Sequence, residues 1–200
     1  ADHKLVELGL TPNDEAYKAQ YYSYLMNGLL TQTIRIKEGD KIEEAHMRNR
    51  ALIAWWTLEH AGGAVELVQE EVSYASAEDA LKDAEGNIIT TRTYMKVNDY
   101  EKLRHLFGEL LAEIQRIKSE GDYEAARQLV EKYAVNIDPA LHREILARYK
   151  KLNLAPYKGF INPKMTLQYD EKGTPTDVLL DYEESYTDQM LRYSDEYGTL

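Results

Sequence analysis

The sequence predicts a mainly α-helical chain: a helical-bundle lobe that carries a β-hairpin arm, followed by a small C-terminal β-containing region. Apolar residues recur at helical spacing through most of the chain before Asn153. Two stretches within residues 64–97 instead alternate apolar and polar side chains, as half-buried strands do. Proline and glycine punctuate the chain after Asn153. We therefore predict a helical lobe over 1–155, with the arm at about 64–97, and a β-containing segment with a terminal helix over 156–200.

The first long helix is predicted to begin just after Pro12, where acidic residues follow, and to continue at helical spacing to Ile36. Gly39–Asp40 then interrupts the chain, and we expect Asp40 to cap the next helix. That helix is predicted to reach about His60, before the helix-ending pair Gly62–Gly63. Its core stripe comprises Met47, Ala51, Ala54, Trp55 and Leu58.

The arm is predicted from two strands, over 64–71 and 88–97. Between them, Ser76–Asp79 has the pattern of a capping box and predicts a short helix to Asp83. Glu85–Asn87 has turn composition. We therefore expect a long, decorated hairpin.

Three further helices are predicted to pack as antiparallel neighbours, because their connections are short. Asp99 can cap the first, which has a regular apolar stripe. Gly121–Asp122 separates it from the second, and Asp138–Pro139 is a cap followed by proline at the first helical position. After them, strands are predicted near 160–169 and 176–182, with a last helix within 184–197.

Composition narrows the functional classes. The net charge of −11 argues against binding to nucleic-acid backbone, which needs clustered Lys and Arg. The absence of cysteine excludes disulfides, thiolate metal sites and a cysteine nucleophile, and is compatible with a reducing cytosol. No apolar run is long enough to cross a bilayer, and the first residues do not resemble a signal peptide. We therefore expect a cytoplasmic protein with no nucleic-acid or membrane partner.

Common catalytic motifs are absent from the sequence. The five histidines form no HExxH pattern and no pair four residues apart, so a self-contained zinc site is not expected. The patterns GxGxxG, GxxxxGK and GxSxG do not occur, so neither a nucleotide-binding loop nor a hydrolase nucleophile elbow is predicted.

The most informative pair is His46 and Arg50. Four residues apart on a helix, their side chains share one face, beside the core stripe. A lone histidine there is more often a hydrogen-bonded core residue. An adjacent guanidinium, however, favours a neutral imidazole and can hold a carboxylate or a carbonyl group, so the pair indicates a pocket wall.

Lys158 lies between aromatic residues in a loop bounded by proline and glycine. Such a lysine is usually on the surface, but it could meet the charged end of a ligand.

The segment Glu44–Ile53, with its AHMxxR pattern, resembles part of the zinc-dependent dipeptidyl peptidase III family, and its bacterial members most of all. The resemblance continues through Leu58–Gly63, Lys118–Asp122 and Tyr157–Pro163 and covers most of the chain. It is poorest in the arm, at about 72–94.

The resemblance implies that the chain is a fragment. The family's zinc site is built from HExxGH and EExxAD-type motifs, and neither occurs here. In bacterial members the acidic motif is followed by a segment similar to Ala1–Gly9, so we expect a cut just downstream of the last zinc ligand. His46 corresponds to the histidine that stabilises the transition state, while Arg50, Lys158 and Tyr157 correspond to substrate-binding positions, although some relatives carry arginine where Tyr157 stands. In the intact family the metal polarises the peptide carbonyl and activates water, and His46 would donate to the developing oxyanion.

The predicted function is therefore the substrate-cleft part of a dipeptidyl peptidase III-like metallopeptidase, inactive alone, with a peptide substrate and zinc only in the full-length context. The alternative is an excised or engineered scaffold that presents the hairpin arm. Surface exposed by truncation predicts self-association or a protein partner.

Overall fold

The computed structural model describes residues 2–12, 15–153 and 162–198. These residues form a mainly helical protein with two small antiparallel sheets, which confirms the predicted fold class. Tyr157 and Lys158 lie outside the described residues. In chain order the elements are α1 Asp2–Glu7, α2 Glu15–Leu29, a 3₁₀ helix Thr31–Arg35, α3 Ala45–His60, β1 Val65–Glu71, β2 Thr91–Val97, α4 Tyr100–Glu120, α5 Tyr123–Tyr133, α6 Pro139–Leu152, β3 Lys164–Tyr169, β4 Pro175–Asp181 and α7 Tyr186–Tyr197.

The chain divides into two compact units, Ala1–Pro156 and Tyr157–Leu200. The apolar core lies in the first unit, where α3 packs against α2, α4 and α5. At the α2–α3 crossing, Gly28 brings the two backbones together: a Cβ at this position would overlap the carbonyl oxygen of Arg50 and lie 2.6 Å from the Cβ of Ala54. Close packing at this crossing therefore depends on a residue without a side chain.

Helix α3 begins later than the sequence predicts. Its cap is Glu44, whose carboxylate accepts the backbone N–H of His46 at 2.9 Å and of Met47 at 2.8 Å. The prediction that Asp40 caps this helix is wrong, because the residues just before Glu44 are held in contact with another part of the fold. Ile42 is buried, and its N–H donates to the carbonyl of Val135 at 3.0 Å, so this stretch is held against the segment between α5 and α6.

Helix α2 also ends sooner than predicted, at Leu29, and the 3₁₀ helix follows. The buried Gln32 side-chain amide donates to the carbonyls of Gly28 and Met47, at 3.1 Å each. It therefore ties the end of α2 to the start of α3.

In the arm, β1 and β2 pair antiparallel, with Leu67 opposite Met95. The short helix predicted after Ser76 is wrong. The hydroxyl of Ser76 accepts the N–H of Asp79 at 3.2 Å, as a helix cap would, but only a turn follows. The next residues are used elsewhere, because Lys82 bridges to Ile88 and residues 81–89 form a second, smaller hairpin.

Of the last three helices in this unit, the first and the third have the caps that the sequence predicts. Asp99, Asp122 and Asp138 each accept a backbone N–H three residues later, at 2.9, 3.1 and 2.7 Å. Helices α4 and α5 pack against α3 and against each other, whereas α6 packs against the 3₁₀ helix and β2. Leu141 and Ile145 of α6 still share an apolar cluster with Leu103 and Leu106 of α4, so all three helices contribute to the core.

The second unit contains the β3–β4 hairpin and α7. Ser185 caps α7 by accepting the N–H of Asp188, and the side chain of Gln189 hydrogen-bonds the backbone of Asn162. Among the described residues of the whole chain, no helix combines the length and the apolar character that crossing a bilayer requires.

Candidate functional site

The predicted pair lies at the margin of α3. His46 is exposed in the first helical turn, and Arg50 is half-buried one turn later. The buried stripe of the helix, which includes Met47 and Ala51, runs beside them. The geometry therefore places the pair on one face and on the rim of the core.

The face that carries the pair continues into a groove. Asn49 and Ile53 lie on the same side of α3 as His46 and Arg50, at helical spacing. They line a groove of about 650 Å³ between α2 and α4. Its other lining residues are His3, Gln20, Tyr21, Tyr24, Arg104, Phe107, Gly108, Leu110, Leu111 and Ile114. The groove has an apolar floor with polar groups at its edges, which is the usual composition of a ligand site.

Tyr24 is a polar residue of the groove that contacts the helix carrying the predicted pair. Its hydroxyl accepts a hydrogen bond from the side-chain amide of Asn49 at 3.3 Å. Burial raises the pKa of Tyr24, while the positive charge of Arg50 and the bond from Asn49 act in the opposite direction. The phenol is therefore protonated at neutral pH and can donate a hydrogen bond to a ligand.

Aromatic residues form one end of the groove. The ring centroid of Tyr21 lies 5.5 Å from that of Phe107. It also lies 5.5 Å from the centroids of Tyr17 and Tyr100, and these two rings meet it edge-on. Burial, together with the neighbouring Tyr17, raises the pKa of Tyr100 far above its usual range. The aromatic cluster behind this end of the groove therefore consists of protonated, uncharged rings.

The described residues do not fit the zinc ion that the family resemblance implies. Among them, no three His, Cys, Asp or Glu side chains are placed to hold a metal ion. Glu44 is adjacent to the pair, but its pKa is lowered because its carboxylate accepts the N–H groups of His46 and Met47. The Glu44 carboxylate is occupied in capping the helix, so no chemical step through a metal follows from these residues.

The described residues of the first unit also line two smaller cavities. One, of about 400 Å³, is lined by Trp55 and Tyr133 and bordered by an ion pair between Lys132 and Glu59 at 2.6 Å. The other, of about 240 Å³, is polar and lies beside Glu144. His46 and Arg50 line neither of these cavities, and they border the groove only through their helical neighbours Asn49 and Ile53, which do line it.

Of the predicted site residues, the structure brings His46 and Arg50 onto one face, while Tyr157 and Lys158 lie outside the described residues. Sequence reasoning missed the groove residues Tyr24 and Phe107, which it could assign only to apolar stripes. The sequence signal for a groove was the excess of tyrosine, 16 residues against 2 phenylalanines. Tyrosine is suited to partly solvated surfaces, where its ring is buried and its hydroxyl reaches a polar partner.

The chain matches no protein-family model and no curated protein. The resemblance of Glu44–Ile53 to the dipeptidyl peptidase III family therefore stays a prediction from the sequence.

Proposed function

We propose that this chain forms one wall of the substrate cleft of a zinc-dependent dipeptidyl peptidase III-like metallopeptidase, and that it does not cleave peptides by itself. The observation that carries the proposal is the continuous face of α3, on which exposed His46 and half-buried Arg50 lead into the groove at Asn49 and Ile53. The AHMxxR pattern supports it, because its histidine and arginine are the residues on that face. A cytoplasmic location is part of the proposal, since a cysteine-free chain suits a reducing compartment.

The roles of the side chains follow from their chemistry. An extended peptide lying along α3 would offer its carbonyl groups to His46 and Arg50, and the guanidinium can also take a carboxylate through two parallel hydrogen bonds. The protonated Tyr24 hydroxyl supplies a further donor at the groove edge. Apolar peptide side chains would enter the groove against Phe107 and Ile53. The metal ligands and the general base would come from a polypeptide that carries the HExxGH motif, which these 200 residues lack.

Peptide binding tests the wall itself. We expect addition of tetra-alanine to shift the backbone amide resonances of residues 46–53 in heteronuclear NMR spectra, with little change in α7. Arg50→Gln should weaken this binding roughly 10- to 150-fold, because a charged hydrogen bond contributes roughly 1.5–3 kcal/mol. The matched control is Arg127→Gln, which removes an arginine from the exposed surface of α5. Equal weakening by both substitutions would contradict the proposal.

Activity tests the family assignment. We expect the isolated chain with added zinc to leave dipeptidyl-naphthylamide substrates uncleaved, and activity to appear with a separately expressed zinc-bearing portion of a bacterial dipeptidyl peptidase III. In that mixture His46→Gln should lower kcat about 10²-fold, as loss of an oxyanion donor does. His105→Gln, an exposed histidine of α4, is the control. Turnover by the isolated chain would overturn the proposal.

The second candidate is a scaffold that presents the hairpin arm, and the order within the arm favours it. The hydroxyl of Tyr74 donates to the carbonyl of Ile89 at 2.7 Å, and Leu81 is buried, so the arm is a folded projection. Replacing residues 73–89 with a two-residue Asn-Gly turn separates the two candidates, because Val72 and Thr90 are already hydrogen-bonded. If this variant loses peptide binding while Arg50→Gln retains it, the arm is the binding element.

A further inference from the structure

The β3–β4 hairpin has one face with no charged side chain. The register places Met165 opposite Leu180 and Leu167 opposite Val178. Tyr169 follows by alternation along β3 and pairs with Pro175, after a shift in register between Gln168 and Tyr169. The charged strand residues lie on the other face, where Lys164 is opposite Asp181 and Gln168 is opposite Asp177. That face also carries Thr166 opposite the exposed Leu179, and Thr176 has no partner in the register. The hairpin is therefore amphipathic, like a sheet with one side in a core.

This apolar face is open in the structure. The five side chains are exposed by 68% (Met165), 50% (Leu167), 58% (Tyr169), 43% (Val178) and 54% (Leu180). A lone two-stranded hairpin is marginal in water and needs a further layer or a third strand for stability. Contiguous exposed apolar patches on soluble proteins usually mark interaction sites.

We propose that this face docks against the same face of a second copy of the chain, forming a four-stranded, two-layer sandwich. Two such hairpins can pack face to face at about 10 Å, with the inner side chains interdigitating. The arrangement is two-fold symmetric, so the patch needs to be complementary only to itself.

The charge of the apolar face and the area that it would bury both favour a second copy of the chain as its partner. The chain carries a net charge of −11, but the face contains none of it, so self-association buries no charge. A tyrosine has roughly 150–250 Å² to bury and the four smaller side chains have less each, so at these exposures the five together offer at most roughly 500 Å² per copy. A dimer would then bury at most about 1,000 Å² in total, near the lower limit for a specific interface, which indicates a reversible dimer rather than an obligate one.

Sedimentation analysis of the full chain tests the proposal. We expect the weight-average mass to rise from 23.1 kDa toward twice that value between about 2 and 200 µM. Leu167→Lys, which places a charge in the centre of the face, should stay monomeric. The matched control is Thr166→Lys, which adds the same charge to the opposite face and should dimerise like the parent. A monomeric parent over the whole range would overturn the proposal, as would equal loss of dimer in both variants.

Cross-linking provides a second readout that does not depend on a charged residue being tolerated. Because the chain has no cysteine, a single new thiol can report on proximity. Leu167→Cys should form a disulfide-linked dimer rapidly under mild oxidation with copper phenanthroline, and Thr166→Cys should do so at least tenfold more slowly. Equal rates for the two variants would contradict face-to-face docking. Neither position belongs to the α3 face, so failure here leaves the proposed peptide-binding wall unaffected.

Discussion

Gly28 determines how closely α2 approaches α3. Alanine is a better helix former than glycine by about 1 kcal/mol, so replacing an exposed helical glycine with alanine usually raises the stability of the protein. At Gly28 a Cβ would instead overlap the Arg50 carbonyl oxygen, and the two backbones would have to separate. The cost of packing should therefore outweigh the gain in helix propensity.

We expect Gly28→Ala to lower the free energy of unfolding by about 1–3 kcal/mol, the usual cost of overpacking a core. The measurement is urea denaturation at about 2 µM protein, where the monomer dominates by the interface argument above. Gly108→Ala in α4 is the matched control, because no atom lies within 4 Å of its added Cβ, and it should raise stability. Stabilisation by both substitutions would show that the helices are not closely packed at Gly28.

Glu144 connects α6 to the arm. Its buried carboxylate accepts the backbone N–H of Thr93 at 2.8 Å and the Thr93 hydroxyl at 2.6 Å, and it also pairs with Arg148 at 3.2 Å. Arg148 in turn donates to the Thr93 carbonyl at 3.0 Å. Two side chains of one helix therefore satisfy both backbone polar groups of Thr93, as a third strand would.

We expect Glu144→Gln to lower the free energy of unfolding by about 1–3 kcal/mol, because the amide cannot accept from all three donors and one buried donor loses its partner. Chemical denaturation measures the change. Glu131→Gln, which disrupts a surface pair with Arg127, should leave the denaturation midpoint unchanged. An unchanged midpoint for Glu144→Gln would mean that water replaces the lost contacts at no cost.

At this scale the sequence predicted the His46–Arg50 face but not the groove beside it. Helical spacing determines which residues share a face, and spacing is visible in the sequence. The groove is lined by side chains from α2, α3 and α4 together, so it depends on how these helices pack. No local pattern around Tyr24 or Phe107 distinguishes a groove residue from a core residue.

At the scale of the element, caps divide into those that the local sequence determines and those that tertiary contacts determine. Asp99 and Asp138 were predicted correctly because each is followed by a regular helix that needs a cap. Asp40 was predicted wrongly because burial of Ile42 and its bond to Val135 keep the next residues extended. The capping function therefore passes to Glu44.

The cap of α3 predicts a pH dependence of stability. The pKa of Glu44 lies below the value of 4.5 usual for glutamate, because its carboxylate accepts the N–H groups of His46 and Met47. A carboxyl group whose pKa is lowered in the folded state stabilises the protein at pH values above its pKa in the unfolded state. This contribution is lost as the pH falls through its pKa in the folded state. Glu44→Gln should therefore be less stable than the parent at pH 7, and the difference should shrink below about pH 4.

Urea midpoints of the parent and of Glu44→Gln, measured in steps from pH 7 to pH 3, provide the test. The ¹³C carboxyl resonance of Glu44 gives its titration midpoint directly and should lie below 4.5. A stability difference that is constant across this range would show that the charge of Glu44 is not what holds the helix end.

At the scale of the whole molecule, the two units differ in what could make them stable. The first contains the apolar clusters built around α3, in which residues such as Leu25 and Leu103 are fully buried. In the described part of the second unit, Gln189 is the fully buried side chain, and both strands are exposed throughout. A unit of this size without a core needs a partner layer to be stable.

This difference predicts the behaviour of separated fragments. Residues 1–156 alone should fold with the same urea midpoint as the full chain at low protein concentration, because the apolar clusters stay intact. The fragment 157–200 alone should show the far-UV circular dichroism of a largely unfolded chain when dilute, and should gain β-structure as its concentration rises if copies of the hairpin pack together. The first fragment should also stay monomeric where the full chain dimerises, since it lacks the apolar face of β3 and β4. A lowered midpoint for 1–156 would mean that its core depends on the second unit, and concentration-independent folding of 157–200 would mean that the hairpin needs no second copy.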